Sequence, residues 1–457
     1  MAGIKDYILC FPPGTSLIQR GPGEFEIRTK KERMQIGKAG VAVYKMLRKL
    51  ASTGDTREKL TSLFKGGEAQ GLLEFHFYLE RFTEHRMLCH RLCWKGKPMV
   101  TIVPISPGYQ FESGHVTRGR KYILSRFACI RRSKNNLILE SPLSHAQLIL
   151  HSDRAARLIN ELARPKRCTS LAGLLFYQIL WNAGALSEVD AQERIMEDRD
   201  SRLLHWEFHD LLFHSRSRTG RHNNPYGKTN HLAHRLKARE IKSRKGDAIA
   251  LYRPDTERLK ACDVPFTQVM EMRRSQRKHG KNPITLQQIG ELLYRSARVR
   301  NPSPGEGVES GRRVYPGSGA VYELELYLAI HSCDGLTNGL YYYDPVDHRL
   351  FRISKRTTKT DRLLQSAAAT SHSDLPQVLI LISSRFQRIS RHYQSISYAS
   401  ILKDVGVLFQ TLYLVATAMG LACCALGVGN SELFSEVTGT NYYEETSVGE
   451  FILGSCP

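Results

Sequence analysis

The sequence predicts an α+β chain in two parts, helix-and-hairpin modules first and then a sheet covered by helices. Three observations carry that expectation. The chain has 457 residues, longer than the roughly 250–300 residues at which single cores stop growing. Its charge is divided: of 66 Lys+Arg and 44 Asp+Glu, net +22, the stretch from Thr267 to Pro457 holds 20 and 17, which leaves 46 and 27 before it. The apolar patterns read as helices followed by hairpins in the first part and as strands interleaved with helices in the second. A composition of 41% hydrophobic and 24% charged residues excludes wholesale disorder and a fibrous repeat. The net of +19 on the first part leaves nucleic acid, a membrane surface or an acidic peptide as partners there.

The first part reads as two weakly similar units. Phe25 to Arg28 reads as a strand, and Val43, Met46, Leu47 and Leu50 recur at helical spacing within Val41 to Leu50. Further helical patterns lie at Thr56 to Phe64 and Leu72 to Thr83, followed by a hairpin from Arg91 to Pro104 turning on Lys95-Gly96-Lys97-Pro98. A similar succession follows: strands at Cys129 to Ile130 and Leu137 to Glu140, a helix from Asp153 to Ala163 with Asp153 as its N-cap, and helices up to Leu186. Helices followed by a hairpin wing are the sequence pattern of a winged helix, so two such modules are expected, over 1–108 and 120–210. Leu211 to Gly246 has ten Lys or Arg, one acidic residue (Glu240) and four histidines (His214, His222, His231, His234). It is too polar to build a core and reads as a basic linker or collar extending over 211–266.

The remaining residues, 267–457, read as one sheet flanked by helices. Leu286, Ile289, Leu292 and Leu293 mark an amphipathic helix; Leu324, Leu326, Leu328 and Ile330 alternate as a strand; Tyr341 to Ile353 is a hairpin turning on Asp344-Pro345-Val346-Asp347. Val378 to Ile382 reads as a buried strand, Tyr398 to Met419 as a long helix and Ser447 to Leu453 as a closing strand. Val405 to Gly429 has no charged residue and could span a bilayer by length. Gln410, Thr411, Thr417 and a break at Gly420 favour a fully buried helix followed by a buried strand, with no membrane partner.

Ten cysteines are scattered without a CxxC pair, which is not a disulfide scaffold. His85, Cys89 and Cys93 could converge on one helical face, but no second half of a structural zinc pattern follows, so buried thiols are expected and no metal. Met1 to Thr15 lacks an apolar run ending in a small-residue cleavage site, and the cytoplasm is the expected compartment.

Two segments carry chemistry. In Arg273-Arg274-Ser275-Gln276-Arg277, guanidinium groups and a hydroxyl can converge on one phosphate. In Tyr315-Pro316-Gly317-Ser318-Gly319-Ala320, small residues let backbone approach a flat ring. Gly427-Val428-Gly429-Asn430 follows the charge-free stretch. Neither glycine segment fits the dinucleotide fingerprint or a P-loop, which excludes Rossmann and P-loop nucleotide chemistry.

Taken in order, these segments resemble the nitroreductase superfamily, and within it the SagB/ThcOx branch of FMN-dependent peptide dehydrogenases, the azoline oxidases of cyanobactin-type pathways. The resemblance also runs through Gly339-Leu340-Tyr341-Tyr342-Tyr343-Asp344-Pro345, Leu402-Lys403-Asp404-Val405-Gly406 and Tyr413 to Leu421, and upstream through Trp206 to Asp210 and Phe213 to Arg218. It implies a nitroreductase-like mixed sheet flanked by helices behind the tandem winged-helix modules, and a homodimer with FMN where two subunits meet. It implies that Arg273, Ser275 and Arg277 hold the FMN phosphate, that Ser318 and Gly319 lie against the ring, and that Gly427 and Gly429 contact it through backbone. The substrate it implies is a heterocycle-containing, ribosomally made precursor peptide, whose thiazoline or oxazoline rings become thiazoles or oxazoles, with hydride passing to flavin N5 and oxygen reoxidising the flavin.

Family members carry a Lys-Tyr pair before the long helix; here the residues are Arg391-His392-Tyr393-Gln394, with His in the place of Lys. A histidine with a pKa of about 6.5 is neutral near pH 7, whereas a lysine at about 10.4 must be strongly depressed to act as a base. His392, with Tyr393, is therefore the expected catalytic pair. Two other functions are weighed against this one: an NAD(P)H-dependent nitro or quinone reductase on the same fold, and a winged-helix DNA-binding regulator. With the second part carrying the resemblance, nucleic acid is not the expected partner.

Overall fold

A computed structural model describes residues 6–29, 32–64, 68–236, 247–300 and 311–457. Glu240 and the rest of 237–246, part of the expected collar, lie outside the described residues. Contacts divide the chain into two compact units, Met1–Asn224 and Pro225–Pro457. The boundary falls inside the segment read as a collar, so that 211–224 belongs to the first unit and 225–266 to the second.

In the first unit the helix Val41–Ala51 buries Val43, Met46, Leu47 and Leu50, the four positions its spacing marks. The helices Arg57–Ser62 and Glu68–Glu84 follow, and then the hairpin of Cys89–Trp94 with Lys97–Pro104. That hairpin turns on Lys95 and Gly96 alone, both at positive φ (49° and 74°), as a tight two-residue turn requires. Cys89 and Cys93 lie on its first strand, so the helical face that would have converged them with His85 does not form. In the second module the helix is Asp153–Glu161, and its N-cap is Ser152, whose hydroxyl accepts from Ala155 N, rather than Asp153. Extended backbone at Ser152 lets its oxygen reach the open amides, while Asp153 already lies in the first turn. The two modules share one seven-stranded sheet, because Lys97–Pro104 of the first pairs with Ala146–Leu150 of the second.

The second unit is built on a seven-stranded sheet. Its elements in chain order are β1 (Ala248–Ala250), α1 (Leu286–Ala297), β2 (Leu324–Ile330), β3 (Gly339–Asp344), β4 (Arg349–Lys355), α2 (Thr358–Ser371), β5 (Val378–Arg385), α3 (Ser397–Ala418), β6 (Leu421–Leu426), α4 (Ser431–Thr438) and β7 (Glu445–Ser455). The strand order is β1-β4-β3-β2-β5-β7-β6. Every ladder in this sheet is antiparallel, so the expected mixed sheet takes an antiparallel form. A parallel pairing occurs only outside it among the described residues, between Ile284–Thr285 and Cys333–Asp334.

Both faces of the sheet are covered. Leu324, Leu326, Leu328, Ile330, Tyr341, Tyr343, Ile380 and Ile382 pack with α1 and α3, while Tyr327, Ala329, Leu340, Tyr342, Leu379 and Leu381 pack with α2 and α4. All seven residues of β2 are therefore buried, although alternation alone marks only four. Helix α3 is long and apolar enough by composition to cross a membrane. Its burial is one-sided: Ile401, Val405, Leu408, Leu412, Tyr413 and Ala416 join the core, while Tyr398 and Leu402 are exposed. The expectation of a fully buried helix from Val405 on is corrected, because Gly406 and Gln410 within it are exposed. Gly420, at φ 66°, makes the turn from α3 into the buried strand β6.

A buried ion pair fixes the sheet's centre. Arg385, 2% exposed, and Glu325, also 2% exposed, meet at 3.1 Å, and Tyr342 Oη donates to the second Glu325 oxygen at 2.9 Å. Removing the cation alone leaves a buried carboxylate without its counter-charge, so Arg385→Ala is expected to cost about 3–5 kcal/mol in urea unfolding. A substitution within 1 kcal/mol of neutral would show that the pair is solvated.

Candidate active site

Two side chains of α3 organise the candidate site in the second unit. Asp404, buried near the start of the helix, accepts hydrogen bonds from Ser318 N at 2.8 Å and Ser318 Oγ at 3.0 Å. Tyr413, nine residues further along, lies about 13 Å away along the helix axis. Its hydroxyl accepts from Ala425 N of β6 at 2.7 Å and bonds Ser275 Oγ at 2.9 Å. One rigid helix therefore holds the glycine-rich loop at one point and the arginine segment at another.

The arginine segment is also tied to the sheet edge, through Gln276 N and Cys423 O at 2.8 Å. Arg273 lies over the Tyr413 ring, 5.4 Å from its centroid, and Arg277 is exposed. Among the described residues no carboxylate lies within ion-pair distance of Arg273 or Arg277, whereas three arginines of the same unit, Arg295, Arg356 and Arg385, are paired. Two uncommitted guanidinium groups beside a hydroxyl are a donor set for a phosphate.

The glycine-rich loop runs from Gly317 to Glu323. Gly319 (φ 59°), Ala320 (φ 55°) and Tyr322 (φ 50°) all occupy the left-handed region, which is uncommon for residues with a Cβ. A Cβ on Gly319 would overlap the Tyr393 hydroxyl, so this glycine is required both by its φ and by that contact. Ser318 is committed to Asp404 through both its amide and its hydroxyl, and its contribution here is to hold the loop. Gly427 has open space where a Cβ would stand, whereas Gly429 is crowded by the Glu450 carboxyl. The glycine at 429 thus makes room for a protein side chain.

His392 and Tyr393 are not brought together. Tyr393 lies in the two-residue strand Tyr393–Gln394, which pairs with Gly227–Lys228, and its ring reaches Gly319. His392 reaches the other way: its Nδ1 and Asn230 Oδ1 are 2.9 Å apart, and its carbonyl accepts from Thr229 N and Asn230 N at 2.9 and 3.0 Å. With Nδ1–H donating to the Asn230 carbonyl, Nε2 keeps a free lone pair. Burial, with the nearby Arg391 and Lys228, lowers the His392 pKa below its ordinary value, which favours the neutral imidazole.

Three participants escaped sequence reasoning. Asn230 orients His392 from within a segment read only as basic. Glu450, almost fully buried, has one carboxylate oxygen without a partner; burial pushes its pKa up to about 7, opposed by the Asn430 amide. Glu323, fully buried beside Asp404, is pushed up to about 8, first by burial and then by that neighbouring carboxylate. The sequence signal for both glutamates was an acidic residue in an apolar strand context, which only packing distinguishes from an exposed one.

Comparison with known proteins follows this anatomy. Family models match in succession along the chain: the ThcOx helix turn helix domain over residues 5–113, the cyanobactin oxidase ThcOx over 122–223 and the nitroreductase family over 270–455. The chain thus carries a ThcOx-type helix-turn-helix, winged-helix part ahead of a domain that matches the nitroreductase family. Among curated relatives, nitroreductase MJ1384 of Methanocaldococcus jannaschii is 29% identical over 182 residues, covering 40% of this chain and 85% of that protein. The microcin B17-processing protein McbC of Escherichia coli is 28% identical over 148 residues, 31% of this chain, and the match spans only 51% of McbC. A solved chain of the E. coli microcin synthetase McbBCD complex, with truncated pro-MccB17 bound, is 20% identical, with 50% of this chain and 88% of that chain covered at a TM-score of 0.35.

Tyr413 offers a direct check on the site's framework. Tyr413→Phe leaves the Ala425 amide without its acceptor and the Ser275 hydroxyl without its partner. It is expected to lower stability by about 1–3 kcal/mol in denaturant unfolding, and a change below 0.5 kcal/mol would show that water replaces both bonds.

Proposed function

We propose that the chain is an FMN-dependent azoline oxidase, converting thiazoline or oxazoline rings of a ribosomally made precursor peptide to thiazoles or oxazoles. The observation that carries the reading is the pair of anchors on α3: Tyr413 holds Ser275 between two arginines without a carboxylate partner, and Asp404 holds the glycine loop. That donor set suits a phosphate, and the small-residue loop suits a flat ring, so the residues present fit FMN. Arg273, Ser275 and Arg277 would hold its phosphate, and the Ser318–Gly319 backbone and Gly427 would lie against its ring. FMN, when bound, supplies the hydride acceptor.

The chain's own residues supply position and proton transfer. The ring loses a proton as hydride leaves, and neutral His392, oriented by Asn230, accepts that proton at Nε2. Tyr393, whose hydroxyl lies against Gly319, borders the substrate side of the loop. The winged-helix part would grip the precursor. Its helix Glu68–Glu84 exposes Leu73 and Phe77, apolar anchors for a peptide, and the +19 charge of the first part suits an acidic leader. The exposed Tyr398 and Leu402 on α3 support a homodimer with FMN at its interface.

Purified protein is expected to show flavin absorption bands near about 370 and 450 nm, and Arg273→Ala with Arg277→Ala to abolish them. Incubated with an azoline peptide in air, it is expected to remove two hydrogens, about 2 Da, per ring by mass spectrometry. Flavin-loaded protein that leaves azolines unchanged yet is bleached rapidly by NADPH under anaerobic conditions would assign it as a reductase.

The His392 assignment has its own signature in pH. A base works when neutral, so kcat/KM falls as pH drops through the His392 pKa, and that acid limb should lie below about 6.5. Loss of the limb in His392→Gln, measured over the same range, is the expected result; an unchanged limb removes His392 from the role.

A further inference from the structure

One carboxylate closes the strained loop from both ends. Asp404 accepts from Ser318 N and Oγ at 2.8 and 3.0 Å. At the far end of the loop the buried Glu323 carboxyl neighbours the same Asp404 carboxyl. Glu323 is fully buried, neither of its oxygens has a well-formed hydrogen-bond partner among the described residues, and its own backbone N–H pulls toward the ionised form against the burial. The charged groups facing it are Asp404 from α3 and Arg388 from the short helix Phe386–Ser390. Two carboxylates in contact away from water cannot both ionise cheaply, and a shared proton turns the repulsion into a hydrogen bond. Between the two anchors the chain passes through Gly319, Ala320 and Tyr322 in the left-handed region, a conformation that persists only where its surroundings over-determine it.

We propose that Glu323 is a positioning residue: as a neutral acid it donates to Asp404, and the pair, holding one proton and one negative charge, clamps the Ser318–Tyr322 loop in the form that a flat ring lies against. The inference rests on the FMN reading for what the loop binds, while the acid pair itself belongs to the chain alone. Ionised Glu323 sets two negative charges against each other and releases the loop. The ligand-competent form is therefore lost as pH rises through the Glu323 pKa, about 8.

FMN titrated into the flavin-free, full-length protein, followed by fluorescence quenching at pH 7 and pH 9, tests this. One unit above its pKa about a tenth of the acid stays protonated, so the wild-type Kd is expected to weaken about tenfold. In Glu323→Gln the amide donates at the same place at every pH, and the change is expected to be less than about twofold. Equal pH dependence in the two proteins overturns the proposal.

A second readout needs no flavin. Glu323 has a pKa raised above that of the unfolded chain, so its contribution to stability is fully present at low pH and is lost as pH rises toward 8. The melting temperature of wild type relative to Glu323→Gln should thus fall from pH 5 to pH 8 and then level off; a difference constant with pH overturns the acid pair. Protein that binds no FMN at any pH defeats the cofactor reading, and the melting series still decides the pair. Should Glu323→Gln not fold, Asp404→Asn removes the neighbouring charge that raises the Glu323 pKa and is expected to move the alkaline loss of FMN affinity to lower pH; an unmoved midpoint overturns the proposal.

Discussion

Helix α3 lies on the sheet through Ile401, Val405, Leu408, Leu412 and Ala416, and this packing fixes where Asp404 and Tyr413, on the same helix, can reach. Both are polar groups at the edge of an apolar contact, and each must be satisfied by hydrogen bonds or cost free energy. Asp404 is satisfied by the glycine-rich loop and Tyr413 by the arginine segment and β6. The need to pair two buried polar side chains therefore draws together segments lying 86 and 138 residues away in sequence.

The same economy explains the buried charges of the sheet. Glu325 and Arg385 satisfy each other with help from Tyr342, while Glu445 accepts from Tyr327 and Ser383 at 2.9 Å each. Glu323 and Glu450 are different. Each is buried without such a donor set, and each has a raised pKa. Burial favours the neutral form of each, in Glu323 against the pull of Arg388, and both adjoin the glycine segments of the candidate site.

Much of the framework was legible in the residues. The spacing of Val43, Met46, Leu47 and Leu50 named the buried face of a helix that the structure then forms, because a 3.6-residue period has one consequence on an apolar core. Lys95-Gly96 and Gly420 marked turns through their backbone freedom. Where the reading fell short, the missing information was the neighbour. A strand covered on both faces hides its second face from alternation, as β2 does. The charge-free run of α3 from Val405 on looks fully buried from its sequence, whereas it buries one stripe and leaves Gly406 and Gln410 exposed. Ser152 displaced Asp153 as a cap because one residue of backbone extension decides which oxygen meets the open amides.

For the candidate site, residue type alone determined the chemistry on offer: cations with a hydroxyl at Arg273, Ser275 and Arg277, small residues at Ser318 and Gly319, and an imidazole at His392. These depend on side-chain identity and hold wherever the chain places them. Tertiary structure alone decided their roles relative to one another. It turned Ser318 inward to Asp404, set Tyr393 against Gly319, sent His392 to Asn230, and gave Gly429 to Glu450. It also brought Glu323 to Asp404, 81 residues apart in sequence, and so created an acid whose protonation depends on its burial. The reason is physical: hydrogen-bonding capacity belongs to a residue, but desolvation and the field of a neighbouring charge belong to a place.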